Sequence, residues 1–119
     1  MLLGENLNAA GVIELAGVVP DDRIEELFSL TCGDARVGGF KALREACKRL
    51  IADGFSAKRV VTQFGDRLVD DESVDELRRS RILLELAEAD HALVEGADEY
   101  LQLLRAMTAA VNVISQQQQ

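Results

Sequence analysis

The chain has 119 residues, enough for one hydrophobic core and too few for two. Hydrophobic residues make up 48% and charged residues 29%, and the mean hydropathy is +0.02, which speaks against both a disordered and a membrane-embedded chain. Thirteen Lys and Arg against 21 Asp and Glu leave a net charge of −8, a field that repels phosphate and anionic lipid and argues against free nucleic-acid binding by this chain alone.

One Pro, one Tyr, four Phe and no Trp, set among abundant Ala, Leu, Glu and Arg, give the all-α class, with a single compact bundle of about five to six helices. Residues 1–8 are expected to be a flexible lead, 9–115 the helical domain and 116–119, a run of Gln, a disordered tail. Ala9 to Ala16 predicts a short first helix carrying Val12, Ile13 and Leu15, with Gly17 as its stop. Pro20 suits the first residue of the next helix, where Asp21, Asp22, Glu25 and Glu26 complement the dipole and Ile24, Leu27 and Phe28 share a face up to Gly33. A flexible link, Gly33 to Gly39, leads to a helix with Phe40, Leu43, Cys47, Leu50 and Ile51 on one side, ending at Gly54.

Ser56 can cap a helix whose stripe is Val60, Val61, Phe64 and Leu68, weakened in its middle by Gly65 and interrupted by Asp70-Asp71-Glu72. Ser73-Val74-Asp75-Glu76 has the form of a capping box. The helix after it carries Leu77, Leu83, Leu84, Leu86, Ala87 and Val94, an arc wide enough to touch more than one neighbour, and Gly96 punctuates it. The last helix has a heptad-like seam of Tyr100, Leu101, Leu103, Leu104, Met107, Ala110, Val111 and Ile114. The candidate subunit-interface residues are Tyr100, Leu103, Leu104, Met107 and Val111; burial within the monomer fits Tyr100 and Leu103 equally well.

Signals for chemistry are sparse. The sequence contains no G-x-x-x-x-G-K-[ST] loop to cradle phosphates. Glu88 and His91 match one Glu-x-x-His step of a di-iron bundle, but that site needs a second step and the chain has a single His, so a surface histidine is the plainer reading. Cys32 and Cys47 lack C-x-x-C spacing and fit reduced core or boundary thiols. Lys48, Arg49, Lys58, Arg59, Arg78, Arg79 and Arg81 form the basic clusters, which on helices more often answer neighbouring carboxylates than phosphate. No catalytic, cofactor-binding or metal-binding residue is assigned. No apolar run approaches the roughly 18 residues of a membrane span, and the start lacks a basic n-region and an apolar h-region, so no membrane partner and no export are expected.

Leu93-Val94-Glu95-Gly96-Ala97-Asp98-Glu99-Tyr100-Leu101-Gln102-Leu103-Leu104 resembles the ending of the small subunits of replication factor C, the eukaryotic sliding-clamp loader, and within them is closest to the branch designated the fourth in vertebrates. Val12-Ile13-Glu14-Leu15-Ala16-Gly17-Val18-Val19-Pro20 resembles the same family's step into its C-terminal domain. Ala52-Asp53-Gly54-Phe55-Ser56 and Val61-Thr62-Gln63-Phe64 continue in register. The resemblance spans about residues 12 to 111.

It implies an all-helical collar domain that follows an AAA+ ATPase module and is not itself an enzyme. Five such domains would join in a hetero-pentamer with the other replication factor C subunits, meeting the sliding clamp and primed DNA through the parent complex in the nucleus. ATP and Mg would belong to the AAA+ module, with no cofactor in this chain. An isolated copy is open to homo-oligomer formation. From the residues alone, a self-associating helical adaptor unrelated to replication remains the alternative, and a helical enzyme using Glu88 and His91 a third.

Overall fold

The structure, a computed structural model, describes residues 17–33 and 39–116. Among them every regular element is a helix: α1 (Asp21–Thr31), α2 (Gly39–Ala52), α3 (Ala57–Val69), α4 (Glu76–Val94) and α5 (Glu99–Gln116). The all-α expectation therefore holds. The short helix expected at Ala9 to Ala16, the lead 1–8, residues 34–38 of the link and 117–119 of the tail lie outside the described residues. Helix α5 runs to Gln116, one residue into the stretch expected as tail.

The periodicity places the core well. Ile24, Leu27 and Phe28 of α1, Leu43, Cys47 and Leu50 of α2, and Val60, Val61, Phe64 and Leu68 of α3 are all buried in one cluster. Phe28 and Phe64 meet with ring centroids 5.9 Å apart and planes tilted by 43°, a geometry that aromatic quadrupoles favour. Helix α5 is the axis of the bundle: it touches all four other helices and buries Leu103, Ala106, Met107, Ala110 and Ile114. Helix α2 packs on α1 and α5, α3 on α1, α4 and α5, and α4 on α3 and α5. Among the described residues the four thus form an arc α2–α1–α3–α4 around α5, with no extensive packing between α2 and α4.

Turns and caps explain how the arc closes on itself. Pro20 is not the first helical residue but the N-cap of α1; its carbonyl accepts from the amides of Arg23 (3.0 Å) and Ile24 (3.3 Å). Helices α2 and α4 both end in a Schellman turn, in which Phe55 donates to Leu50 and Gly54 to Ile51, and Ala97 to Ala92 and Gly96 to Leu93. Gly54 and Gly96 take φ values of 97° and 98°, the left-handed region where a Cβ is costly. Gly65 does not break α3; a Cβ there would make ordinary contact with Leu86 at 3.5 Å.

The expected capping box is displaced. Asp75, not Ser73, caps α4 and accepts from the Arg78 amide, while the Ser73 amide (2.7 Å) and hydroxyl both donate to the Asp71 carboxylate. Ser73 therefore closes an Asx-type turn inside the α3–α4 loop.

Long-range polar contacts fasten the outer elements. The Gln63 side-chain amide brackets Val19: Val19 N–H donates to Oε1 (2.8 Å) and Nε2 donates to the Val19 carbonyl (2.9 Å). Val19 is wholly buried, so these bonds satisfy groups that water cannot reach. Arg67 lies over the Phe28 ring at 4.1 Å and pairs with Glu25 and, at 2.9 Å, with Asp71, tying α1, α3 and the following loop together. At the other end, the Ala57 amide opening α3 donates to Glu99 Oε1 of α5 at 3.0 Å.

Candidate functional site

The groups with catalytic potential are dispersed or already engaged. His91 is exposed on α4, and Glu88, one turn before it, pairs with Arg105 of α5 at 3.1 Å. Among the described residues no group of three or more His, Cys, Asp and Glu gathers to hold a metal. No disulfide joins Cys32 and Cys47. Burial pushes the Cys47 thiol up to about 12, which keeps it protonated and unreactive at neutral pH.

The basic clusters behave as helix surfaces. Arg49 pairs with Glu26 (2.9 Å), Lys58 with Asp90 (3.3 Å) and Arg78 with Asp75. Arg79 turns inward, its Nη2 donating to the carbonyls of Asp71 (3.1 Å) and Val74 (2.9 Å), which holds the α3–α4 loop against α4. Lys48, Arg59 and Arg81 stay exposed. Among the described residues no helix is long and apolar enough to cross a membrane.

The five residues expected at a subunit interface divide. Leu103 and Met107 are 0% exposed and belong to the chain's own core, because α5 is surrounded on three sides and turns these two side chains inward. Their place in the candidate interface is corrected accordingly. Tyr100, Leu104 and Val111 are half-buried against the core and keep part of their surface outside.

Among the described residues, the flank of α5 between α2 and α4 is left open. There Phe40, Leu101, Leu104, Thr108, Ala109 and Asn112 line a trough of about 490 Å³, with Glu85 and Arg105 along its α4 side. Leu101 is 57% exposed and Phe40 53%; Leu84 of α4 is 62% exposed. The exposure of Leu101 is hard to read from the sequence because the face it heads continues through the polar residues Thr108 and Asn112, whereas the seam from Leu103 to Ile114 is unbroken. The helical spacing puts Phe40 on the apolar side of α2, but in the first turn of that helix it is 53% exposed.

These features define the class: an all-helical domain wrapped about one axial helix and presenting an apolar trough to solvent. The family follows from comparison. Residues 19–109 match the Replication factor C C-terminal domain, and the chain belongs to that family. It is 30% identical over 113 residues to replication factor C subunit 2 of Oryza sativa subsp. japonica, covering 95% of this chain and 32% of that protein. It is 29% identical over 119 residues to subunit 4 of Arabidopsis thaliana (99% and 34%), and 32% identical over 113 residues to subunit 4 of Homo sapiens (95% and 30%). The chain thus spans about a third of the length of these curated relatives.

Proposed function

We propose that this chain is the oligomerisation, or collar, domain of a replication factor C small subunit, which joins four related domains to hold a pentameric AAA+ clamp loader together. In that assembly it serves the ATP-dependent loading of the sliding clamp onto primed DNA in the nucleus. The observation that carries the reading is the family match over residues 19–109, in a bundle that leaves the α2–α4 flank of its axial helix uncovered. An exposed apolar flank is a means of association, since burying it against another chain removes apolar surface from water. The chain itself hydrolyses no ATP in this reading. It has no G-x-x-x-x-G-K-[ST] segment to cradle phosphates, and ATP and Mg serve the AAA+ module of such a protein.

The test is reconstitution. Co-expressed with the other replication factor C subunits, the chain is expected to co-elute with them as a hetero-oligomer in size-exclusion chromatography with light scattering. Stable self-association with no affinity for those subunits would overturn the reading in favour of a self-associating adaptor.

A further inference from the structure

Ahead of α1 the chain crosses the bundle as a short strap, residues 17–20. Gly17, Val18 and Pro20 are exposed and Val19 alone is buried. Among the described residues, the only hydrogen bonds that join residues 17–19 to a helix are the two from Gln63 of α3, one to each polar group of the Val19 backbone. The Gln63 amide thus offers what a neighbouring strand would, a donor and an acceptor side by side, and it fits Val19 only while the strap is extended.

Helix α1 is held by other means. Arg23 pairs with Asp53 at 2.9 Å, Glu26 with Arg49 at 2.9 Å, and Glu25 with Arg67, while Ile24, Leu27 and Phe28 lie in the core. Pro20 belongs to α1 as its N-cap, since its carbonyl accepts from the first turn. The strap can therefore leave α3 at Val19 without disturbing α1.

Charge beside the clasp works against closure. A groove of about 540 Å³ between α1 and α3 reaches Gln63, with the carboxylates of Asp21 and Glu25 on its α1 side and those of Asp66 and Asp70 on its α3 side. Arg67 is the one cation in its lining, and Glu25 and Asp71 engage it. Arg59, one turn before Gln63, is exposed and does not line the groove. Among the described residues no cation pairs with Asp21, Asp66 or Asp70, so like charges face each other across the groove with a repulsion that salt screens.

We infer that the Gln63 amide is a latch: residues 17–19 open and close against α3 while the five helices stay folded, and the carboxylates across the groove set how often the latch is open. Closed, it fixes the direction in which the chain enters the bundle; open, it frees that direction. The inference goes beyond the assembly role and does not depend on it.

The experiment is native-state hydrogen exchange on the whole chain, read residue by residue by NMR. The Val19 amide is expected to exchange at least about tenfold faster than the Leu103 and Met107 amides of α5, with almost no dependence on urea, the mark of a small local opening. Raising the salt from roughly 20 to roughly 500 mM should slow Val19 exchange about threefold and leave α5 nearly unmoved. Asp66→Asn with Asp70→Asn should slow it by a similar factor at low salt and remove the salt dependence. Gln63→Glu keeps an acceptor for the Val19 amide but sets a carboxylate against the Val19 carbonyl, so opening should rise about tenfold at neutral pH. It should return towards the wild-type value at acid pH, where the new side chain takes up a proton and regains a donor. Val19 exchange with the same urea dependence as Leu103 would overturn the inference, because the strap would then open only when the bundle unfolds. Val19 exchange indifferent to both salt and the paired Asn variant would overturn it as well, because the groove carboxylates would then have no hold on the latch.

Discussion

Leu101 and Leu103 stand two residues apart on α5, yet one is 57% exposed and the other 0%. Around Leu103 the helix meets α1 to α4 and hides a continuous run of Leu, Ala, Met and Ile; around Leu101 it meets open solvent between Phe40 and Glu85. The same residue type therefore holds the chain's own core together on one side of α5 and stands in solvent on the other. In a central helix of this kind apolar content alone does not say which contact a side chain makes; the angular position relative to the surrounding helices does.

The contrast is broken most sharply by charge. Leu103→Glu or Met107→Glu would bury a carboxylate without a partner, which costs several kcal/mol, and the chain is expected to lose its cooperative melt and most of its helical circular dichroism. Leu101→Glu should leave both unchanged. A folded Leu103→Glu chain would show that the inner face is not core.

A smaller effect is expected at the edge of the bundle. Gln63→Leu removes both bonds to the Val19 backbone and leaves a buried N–H and carbonyl unanswered, for a loss of about 1–3 kcal/mol. Amide exchange at Val19 should then accelerate more than at α5. Uniform acceleration across the chain would mean that Gln63 supports the whole core rather than the entry to α1.

Gly96→Val tests the turn that hands the chain from α4 to α5. Beyond Gly96 and its two chain neighbours, nothing lies within 4 Å of the position a Cβ would take, so the cost lies in the backbone at φ 98° and should be about 1–2 kcal/mol. An unchanged melting temperature would contradict the left-handed cap.

The smallest effect is that of pH. The Ser73 hydroxyl bond, followed by Arg67, lowers the Asp71 pKa below its ordinary 3.8, so the native state favours the carboxylate more than the unfolded chain does. The stability this contributes is present above about pH 4 and is lost as pH falls through the lowered native value. Asp71→Asn should therefore lower stability modestly at neutral pH, where the bonds from Ser73 and Arg67 to the carboxylate are lost, and flatten the acid limb so that variant and wild type converge at low pH. A steeper acid limb in that variant would contradict the sign.

Much of this was legible in the sequence because local rules and tertiary packing agree. The stripes of α1 to α3, the Ser56 cap and the glycine stops at Gly54 and Gly96 each follow from one element considered alone. The α4 cap is ambiguous in the sequence because both Ser73 and Asp75 can cap, and only the loop's fold commits Ser73 to Asp71. Helix α4 shows why exposed apolar surface is harder to read from the sequence. It packs chiefly on two neighbours and leaves Leu77, Leu84 and Val94 in solvent, so its apolar arc does not map onto one buried face. On α5 the unbroken seam drew attention to Leu103 and Met107, whereas the outer face is interrupted by Thr108 and Asn112 and signals itself only once Phe40 and Glu85 are seen beside it.

The central claim, that one face of α5 is core and the other is kept for a partner, is tested most directly by side-chain footprinting. Carbene labelling of the chain alone and of the chain assembled with the other replication factor C subunits would be read at Phe40, Leu101 and Leu103. The account predicts strong labelling of Phe40 and Leu101 in the isolated chain, a marked drop at both on assembly, and no labelling of Leu103 in either state. Equal labelling of Phe40 and Leu101 before and after assembly would contradict it.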